Sequence, residues 1–238
     1  MTDMDNFLYA QTPTAMRPLL GLTVLLVEDS LTACEAIRLM CLRSGARLRR
    51  ADCLESARRH LRVYRPTVVI TDMGLPDGSG AELINELKSD QTPVDVILGL
   101  SADIDTKTEA MNAGATGFIE KPINSLAAFQ SAILNYLPQD RHPSGPRKLN
   151  TEVIAPDGVA LQEDLAHALN LLEDGDDTPA THKYLKTFLT GVAQTASDDE
   201  LESVTTAYAN ARAQNVAQHE QARLSAVLIE RLAQRQAI

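Results

Sequence analysis

The chain has 238 residues and a formal net charge of −10, from 22 Lys and Arg against 32 Asp and Glu, with 44% hydrophobic and 23% charged residues. That length suits two ordinary domains, and a surface this acidic repels nucleic-acid phosphates and anionic lipid, so nucleic acid and membrane are not expected partners. No apolar run approaches the roughly 20 residues of a membrane span, and Asp3 and Asp5 with no basic start do not make a signal peptide, so a cytoplasmic location is expected. Cys34, Cys41 and Cys53 show neither CxxC spacing nor an even count, and they read as reduced, buried apolar residues.

Residues 1–20 mix polar residues with Phe7, Leu8, Tyr9, Pro13 and Pro18 and are expected to form an arm. The run from Leu22 to Val27 is a strand ending in Glu28-Asp29, and Ser30 then caps a helix that Gly45 stops after Ser44. A weaker strand follows at Arg47 to Ala51, then a helix from Leu54 to Arg62 and a strand from Val68 to Thr71. Turn chemistry at Pro76, Gly78 and Gly80 predicts a loop. Further elements are a helix from Ala81 to Lys88, a strand from Val94 to Leu100, and a helix from Ile104 to Asn112 closed by Gly114. A fifth strand at Gly117-Phe118-Ile119 and an amphipathic helix from Leu126 to Leu137 complete the series. Five alternations of strand and helix predict a parallel sheet covered on both faces, an α/β fold whose ligands collect at the carboxyl ends of the strands.

Polar residues capable of chemistry stand at those ends: Glu28-Asp29, Asp72, Ser101 and Lys121-Pro122. Two like charges about 4 Å apart cost on the order of 4 kcal/mol at an effective dielectric near 20, so three clustered carboxylates need a cation. Glu28, Asp29 and Asp72 offer hard oxygen only, which suits Mg²⁺ and selects against zinc. With that cation, Asp72 can attack phosphorus as a carboxylate nucleophile, while Lys121 neutralises phosphoryl oxygens. Ser101 offers a hydroxyl to a phosphoryl oxygen, or else caps the helix after Ala102. The sequence does not reveal whether the Lys121-Pro122 bond is cis.

Residues 22–137 resemble the receiver domain of two-component response regulators. The resemblance lies in the acidic pair, in Asp72 followed by Leu75-Pro76 and Gly80, in Ser101-Ala102, and in the segment from Ala113-Gly114-Ala115 through Gly117-Phe118 to Lys121-Pro122. It implies a flavodoxin-like five-stranded sheet and phosphoryl transfer onto Asp72 from a histidine kinase or histidine phosphotransferase. It also implies Mg²⁺ held by Glu28, Asp29, Asp72 and the backbone carbonyl of Gly74. Phe118 matches the family's aromatic switch position, although an aromatic in a short strand also reads simply as core. The chain departs from the family pattern in its basic second strand and in Gly74, which brings no side chain to orient a hydrolytic water; autodephosphorylation is therefore left open.

The expected division is an arm (1–20), a receiver domain (21–138), a Pro-rich linker (139–148) and an acidic helical domain (149–238). Residues 149–238 hold fourteen acidic and six basic residues. Leu161, Leu165, Leu169 and Leu172 mark one helix; Thr178-Pro179 opens a second, with Tyr184, Leu185, Phe188, Leu189 and Val192 on one side. Ser197 to Glu200 reads as a capping box before a long helical stretch whose apolar spacing falters at 209–221, predicting two helices or a change of packing partner there. A bundle of three to four helices is expected, with homodimerisation one way to complete it. Its Lys and Arg are too scattered for a DNA-recognition helix. His167, His182 and His219 lack the residues that accompany phosphotransfer histidines. The expected function is a phosphorylation-switched regulator whose helical domain contacts an unidentified protein. The alternatives are a phosphotransfer or phosphatase module in that domain and, least favoured, a DNA-binding transcriptional regulator.

Overall fold

The computed structural model describes residues 12–89, 94–145, 154–155, 157–174, 178–214 and 218–234. Much of the expected arm (1–11) and part of the expected linker (146–148) lie outside them. The elements alternate as β1 (Thr23–Val27), α1 (Leu31–Ser44), β2 (Arg47–Ala51), α2 (Leu54–Val63) and β3 (Val68–Asp72). A hairpin of β4 (Gly74–Leu75) and β5 (Gly78–Ser79) follows, then α3 (Gly80–Ser89), β6 (Val96–Ser101), α4 (Thr106–Ala113), β7 (Gly117–Glu120) and α5 (Leu126–Leu134).

Five strands form one parallel sheet in the order β2-β1-β3-β6-β7. Counting only these five, this is the 2-1-3-4-5 flavodoxin-like order. Alternate residues of each strand point to opposite faces, which is why the inner strands β1, β3 and β6 are largely apolar, while the edge strand β2 carries Arg47, Arg49 and Arg50. Val24, Leu26, Val68, Ile70 and Leu98 meet Ile37 and Met40 of α1 and Phe129 and Ile133 of α5. On the other face Leu25, Val27, Val69 and Ile97 meet Leu54 of α2, Leu83 and Ile84 of α3, and Ala110 of α4. The register sets Val27 beside Ala51 and Thr71, and Asp72 beside Leu100. All catalytic-type residues of the strand ends therefore emerge on one edge.

Three local expectations change. The loop after Asp72 contains the β4–β5 hairpin, and Asp77 at its turn caps α2 by accepting from the backbone N–H of Leu54 at 2.8 Å and of Glu55 at 3.0 Å. The fourth helix starts at Thr106 instead of Ile104, because Ser101 and Asp103 build a turn first: Asp103 N donates to Ser101 Oγ at 3.1 Å and Asp105 N to Asp103 Oδ1 at 3.0 Å. Ser101 is thus not the helix cap. Helix α5 ends at Leu134, three residues short of the expected Leu137.

Beyond the linker lie α6 (Gly158–Glu173), α7 (Pro179–Ala196), α8 (Asp199–Ala213) and α9 (Gln218–Gln234). Leu161, Leu165, Leu172, Leu185, Leu189, Val192, Val204, Tyr208, Leu224 and Leu228 form their common core, separate from the two cores of the sheet. The expected capping box does not form; the helix start is capped one residue later by a single side chain. Ser197 ends α7 with φ 54°, and Asp198 is the N-cap of α8, its carboxylate accepting from Leu201 N at 3.0 Å. The helical unit rests on the sheet domain through α6 and α7 against α1, and through α7 against β4. No helix among the described residues is long and apolar enough to cross a membrane.

Candidate functional site

The carboxyl edge of the sheet gathers Glu28, Asp29, Asp72, Ser101 and Lys121. Glu28 and Asp29 follow β1, Asp72 and Ser101 end β3 and β6, and Lys121 follows β7 through a backbone bond from its N–H to the Ser101 carbonyl at 2.8 Å. The Lys121-Pro122 bond is cis. Lys121 Nζ lies 2.6 Å from Asp72 Oδ2 and 2.7 Å from Glu28 Oε2. The sequence reading gave neutralisation of the cluster chiefly to a metal; here Lys121 already supplies one positive charge between two of the three carboxylates.

The remaining oxygens of two carboxylates are held by backbone. Asp72 Oδ1 accepts from Gly74 N at 3.0 Å and Glu28 Oε1 from Ser30 N at 3.1 Å. Gly80, at the start of α3, passes so close to the Asp72 peptide that a Cβ there would sit 2.1 Å from the Asp72 carbonyl oxygen. That approach is the physical need behind a glycine eight residues after Asp72.

Burial raises Glu28 well above the usual carboxylate range against the opposing pull of Lys121, with Asp72 and Asp29 adding to the rise. Burial first, and the charge of Asp72 second, push Asp29 up to about 6. Burial opposes the charge on Lys121, but Asp72 and Glu28 outweigh it and hold the ammonium above its ordinary value.

A divalent cation fits this donor set. One oxygen from each of Glu28, Asp29 and Asp72 lies within 4.8 Å of the others. Asp29 Oδ1 is buried with no hydrogen-bond partner among the described residues, a costly state that a bound cation would relieve. Phe118, opposite Gly99 in the register, is half-buried against the core shared with α3 and α4.

Two residues that the sequence reading did not place at the site come from the helical unit. Asp164 of α6 is buried and accepts from Ser30 Oγ at 2.9 Å, Leu31 N at 2.8 Å and Thr32 N at 2.9 Å, capping α1 from outside. Tyr184 of α7 donates a hydrogen bond from its hydroxyl to Asp29 Oδ2. Helical spacing correctly put Tyr184 on the inward side of its helix, yet periodicity carries no information about which distant carboxylate its hydroxyl meets.

The histidines divide. His182 Nδ1 is 2.8 Å from the hydroxyl of buried Tyr208, while His219 is exposed in the first turn of α9. His167 Nε2 lies 3.3 Å from the Tyr184 hydroxyl. Cys34 and Cys41 are buried free thiols, as expected; Cys53 is half-buried and caps α2, its sulfur 3.5 Å from Ser56 N.

Residues 24–133 match the family model described as the response regulator receiver domain. The KDP operon transcriptional regulatory protein KdpE of Escherichia coli (strain K12) is 30% identical over 99 residues, covering 42% of this chain and 44% of that protein. The transcriptional regulatory protein KdpE of Mycobacterium tuberculosis (strain ATCC 25618 / H37Rv) is 28% identical over 161 residues, covering 66% of this chain and 67% of the relative. Among solved structures, the chemotaxis response regulator CheY4 of Vibrio cholerae is 24% identical with a TM-score of 0.46, covering 49% of this chain and 98% of that one.

Proposed function

Residues 24–133 are a receiver domain of the response regulator family, and from that premise we propose that Asp72 accepts a phosphoryl group and thereby switches protein contacts of the helical unit. The observation that carries the reading is Asp72 at the tip of β3, with Lys121 Nζ 2.6 Å from one oxygen and Gly74 N 3.0 Å from the other. A carboxylate oxygen of Asp72 attacks phosphorus, and the bond from phosphorus to its histidine donor breaks, with the electron pair leaving on the imidazole nitrogen. Lys121 neutralises the transferred oxygens, and Ser101, on the adjoining strand end, offers its hydroxyl to one of them. Glu28, Asp29, Asp72 and the Gly74 carbonyl would hold Mg²⁺, which supplies further charge neutralisation when bound. Phe118 would follow Ser101 inward as the aromatic switch.

On the same reading the donor is a histidine kinase or histidine phosphotransferase in the cytoplasm. The chain is divided as 1–20, 21–138, 139–148 and 149–238, and the last part is the output. The KdpE relatives are named transcriptional regulatory proteins, the function that the least favoured alternative would give this chain. Protein contact is favoured here because α6 carries no Lys or Arg, and α7 and α8 carry only Lys183, Lys186 and Arg212.

The test is incubation with acetyl phosphate and MgCl₂ followed by mapping of the modified residue. Label is expected on Asp72 and absent from Asp72→Ala; undiminished labelling of that variant removes the assignment. Label surviving in Asp72→Ala and lost in His219→Ala or His167→Ala would support a phosphotransfer module instead. A salt-sensitive mobility shift of duplex DNA would favour the transcriptional reading.

A further inference from the structure

Helix α7 crosses the mouth of the acidic site on one face. Tyr184, Thr187 and Gly191 are spaced i, i+3 and i+7, so they line up along the helix. Tyr184 bonds Asp29 at one end of the site. In the middle, a Cβ on Gly74 would sit 2.8 Å from Thr187 Cγ2. At the far end, a Cβ on Gly191 would sit 3.5 Å from Lys121 Cδ and 4.0 Å from Ala102 Cβ. One helix thus touches both ends and the middle of the site, and Asp164 of α6 anchors the same unit to the first turn of α1.

The departure at position 74 has a physical reason in this contact. Any side chain there would meet Thr187, so glycine is what lets the helix approach. Beneath it Asp72 is 4% exposed and Lys121 8%. A phosphoryl donor must bring its phosphorus to Asp72 from the carboxyl edge of the sheet, where α7 lies.

We propose that Tyr184 is a positioning residue of the phosphoacceptor site: its hydroxyl holds the Asp29 carboxylate and keeps α7 across the mouth, so that donor and helix compete for the same space. The inference rests on Asp72 being the phosphoacceptor. Phosphorylation then proceeds through the fraction of chains in which α7 has lifted, and removing the Tyr184 hydroxyl enlarges that fraction. A phosphoryl group on Asp72 takes up the space beneath Thr187 and Gly191 and holds the helix away. Site occupancy and release of the helical unit are thereby one equilibrium.

The experiment uses the full chain and Tyr184→Phe, which keeps the ring and loses only the hydroxyl. The initial rate of Asp72 labelling by acetyl phosphate with MgCl₂ is expected to rise roughly tenfold in the variant, the worth of one hydrogen bond to a charged group. Hydrogen exchange of a peptide spanning residues 179–196 gives an independent readout. In the unsubstituted chain, MgCl₂ with beryllofluoride is expected to speed exchange there, and Tyr184→Phe alone to reproduce part of the increase. Rates equal within twofold, or a slower variant, together with exchange indifferent to beryllofluoride, overturn the role of Tyr184 and leave Asp72 as phosphoacceptor. No label on Asp72 in either chain instead takes away the phosphoacceptor reading, and this inference falls with it.

Discussion

Lys121 is 8% exposed and its ammonium lies between Asp72 and Glu28. Removing one partner of a buried ion pair costs about 3–5 kcal/mol, because the other is left charged and unsolvated. Lys121→Ala is therefore expected to lose about that much stability by urea unfolding at pH 7, and added MgCl₂ to return part of it by binding the uncovered carboxylates. A loss indifferent to Mg²⁺ would show that the acidic cluster does not take the cation. Gly80 gives a second prediction at this scale. A methyl group placed 2.1 Å from the Asp72 carbonyl forces the backbone to move, so Gly80→Ala should cost about 1–3 kcal/mol and slow labelling of Asp72. Glu28, Asp29, Asp72, Ser101 and Lys121 were legible in the sequence because each closes a recognisable strand. Asp164 and Tyr184 were not, because nothing local distinguishes them from an ordinary polar residue and an ordinary stripe residue of a helix.

Among the elements, α1 is capped twice. Ser30 accepts from Ala33 N at 3.1 Å in the usual way, and Asp164 takes Leu31 N and Thr32 N from another part of the chain. Asp164→Ala should cost about 1–2 kcal/mol in urea unfolding, a cap's worth, and speed amide exchange in the first turn of α1. The join of α8 and α9 supplies a pH dependence. Arg231 of α9 donates to Asp198, the N-cap of α8, at 2.7 Å and holds that carboxyl below its ordinary value. A depressed carboxylate contributes stability above its unfolded value and loses it as pH falls through the folded one. The stability gap between the unsubstituted chain and Arg231→Gln should therefore be full at pH 6 and shrink below about pH 4, by urea midpoints across that range. A gap that is constant with pH would show that the pair does not act through charge. At this scale the sequence located the five strands of the sheet and the starts of α1 to α7 to within a few residues, and the faltering at 209–221 brackets the end of α8 at Ala213 and the start of α9 at Gln218, whereas the short 3-10 helix at Gln139–Arg141 was read as linker. The hairpin after Asp72 escaped it, because β4 and β5 have two residues each, too few for any period.

In the whole molecule, charge is unevenly shared. Nine arginines fall between Arg38 and Arg65, around the edge strand β2 and helix α2, while residues 149–238 are acidic. The basic second strand is at home on the sheet edge, where exposed charges oppose pairing with another chain, and Arg50 also reaches the Asp29 carbonyl at 3.4 Å. The two cores of the sheet domain and the separate core of the helical unit are linked by polar contacts at Asp164 and Tyr184. Those contacts are expected to make thermal unfolding a single calorimetric transition, which Asp164→Ala combined with Tyr184→Phe should split into two. A single transition in the double variant would place the coupling elsewhere.

By itself the sequence determined the alternating fold, the acidic edge with its lysine and the helical character of residues 149–238. Those features are written in local periodicity, in caps and in short motifs whose spacing is set by one strand and one turn. Only the tertiary structure decided that α7 lies over that edge, that Thr187 fills the space left by Gly74, and that Tyr184 holds Asp29. Contacts between residues more than a hundred positions apart depend on how two units pack, and neither periodicity nor spacing along the chain encodes that packing.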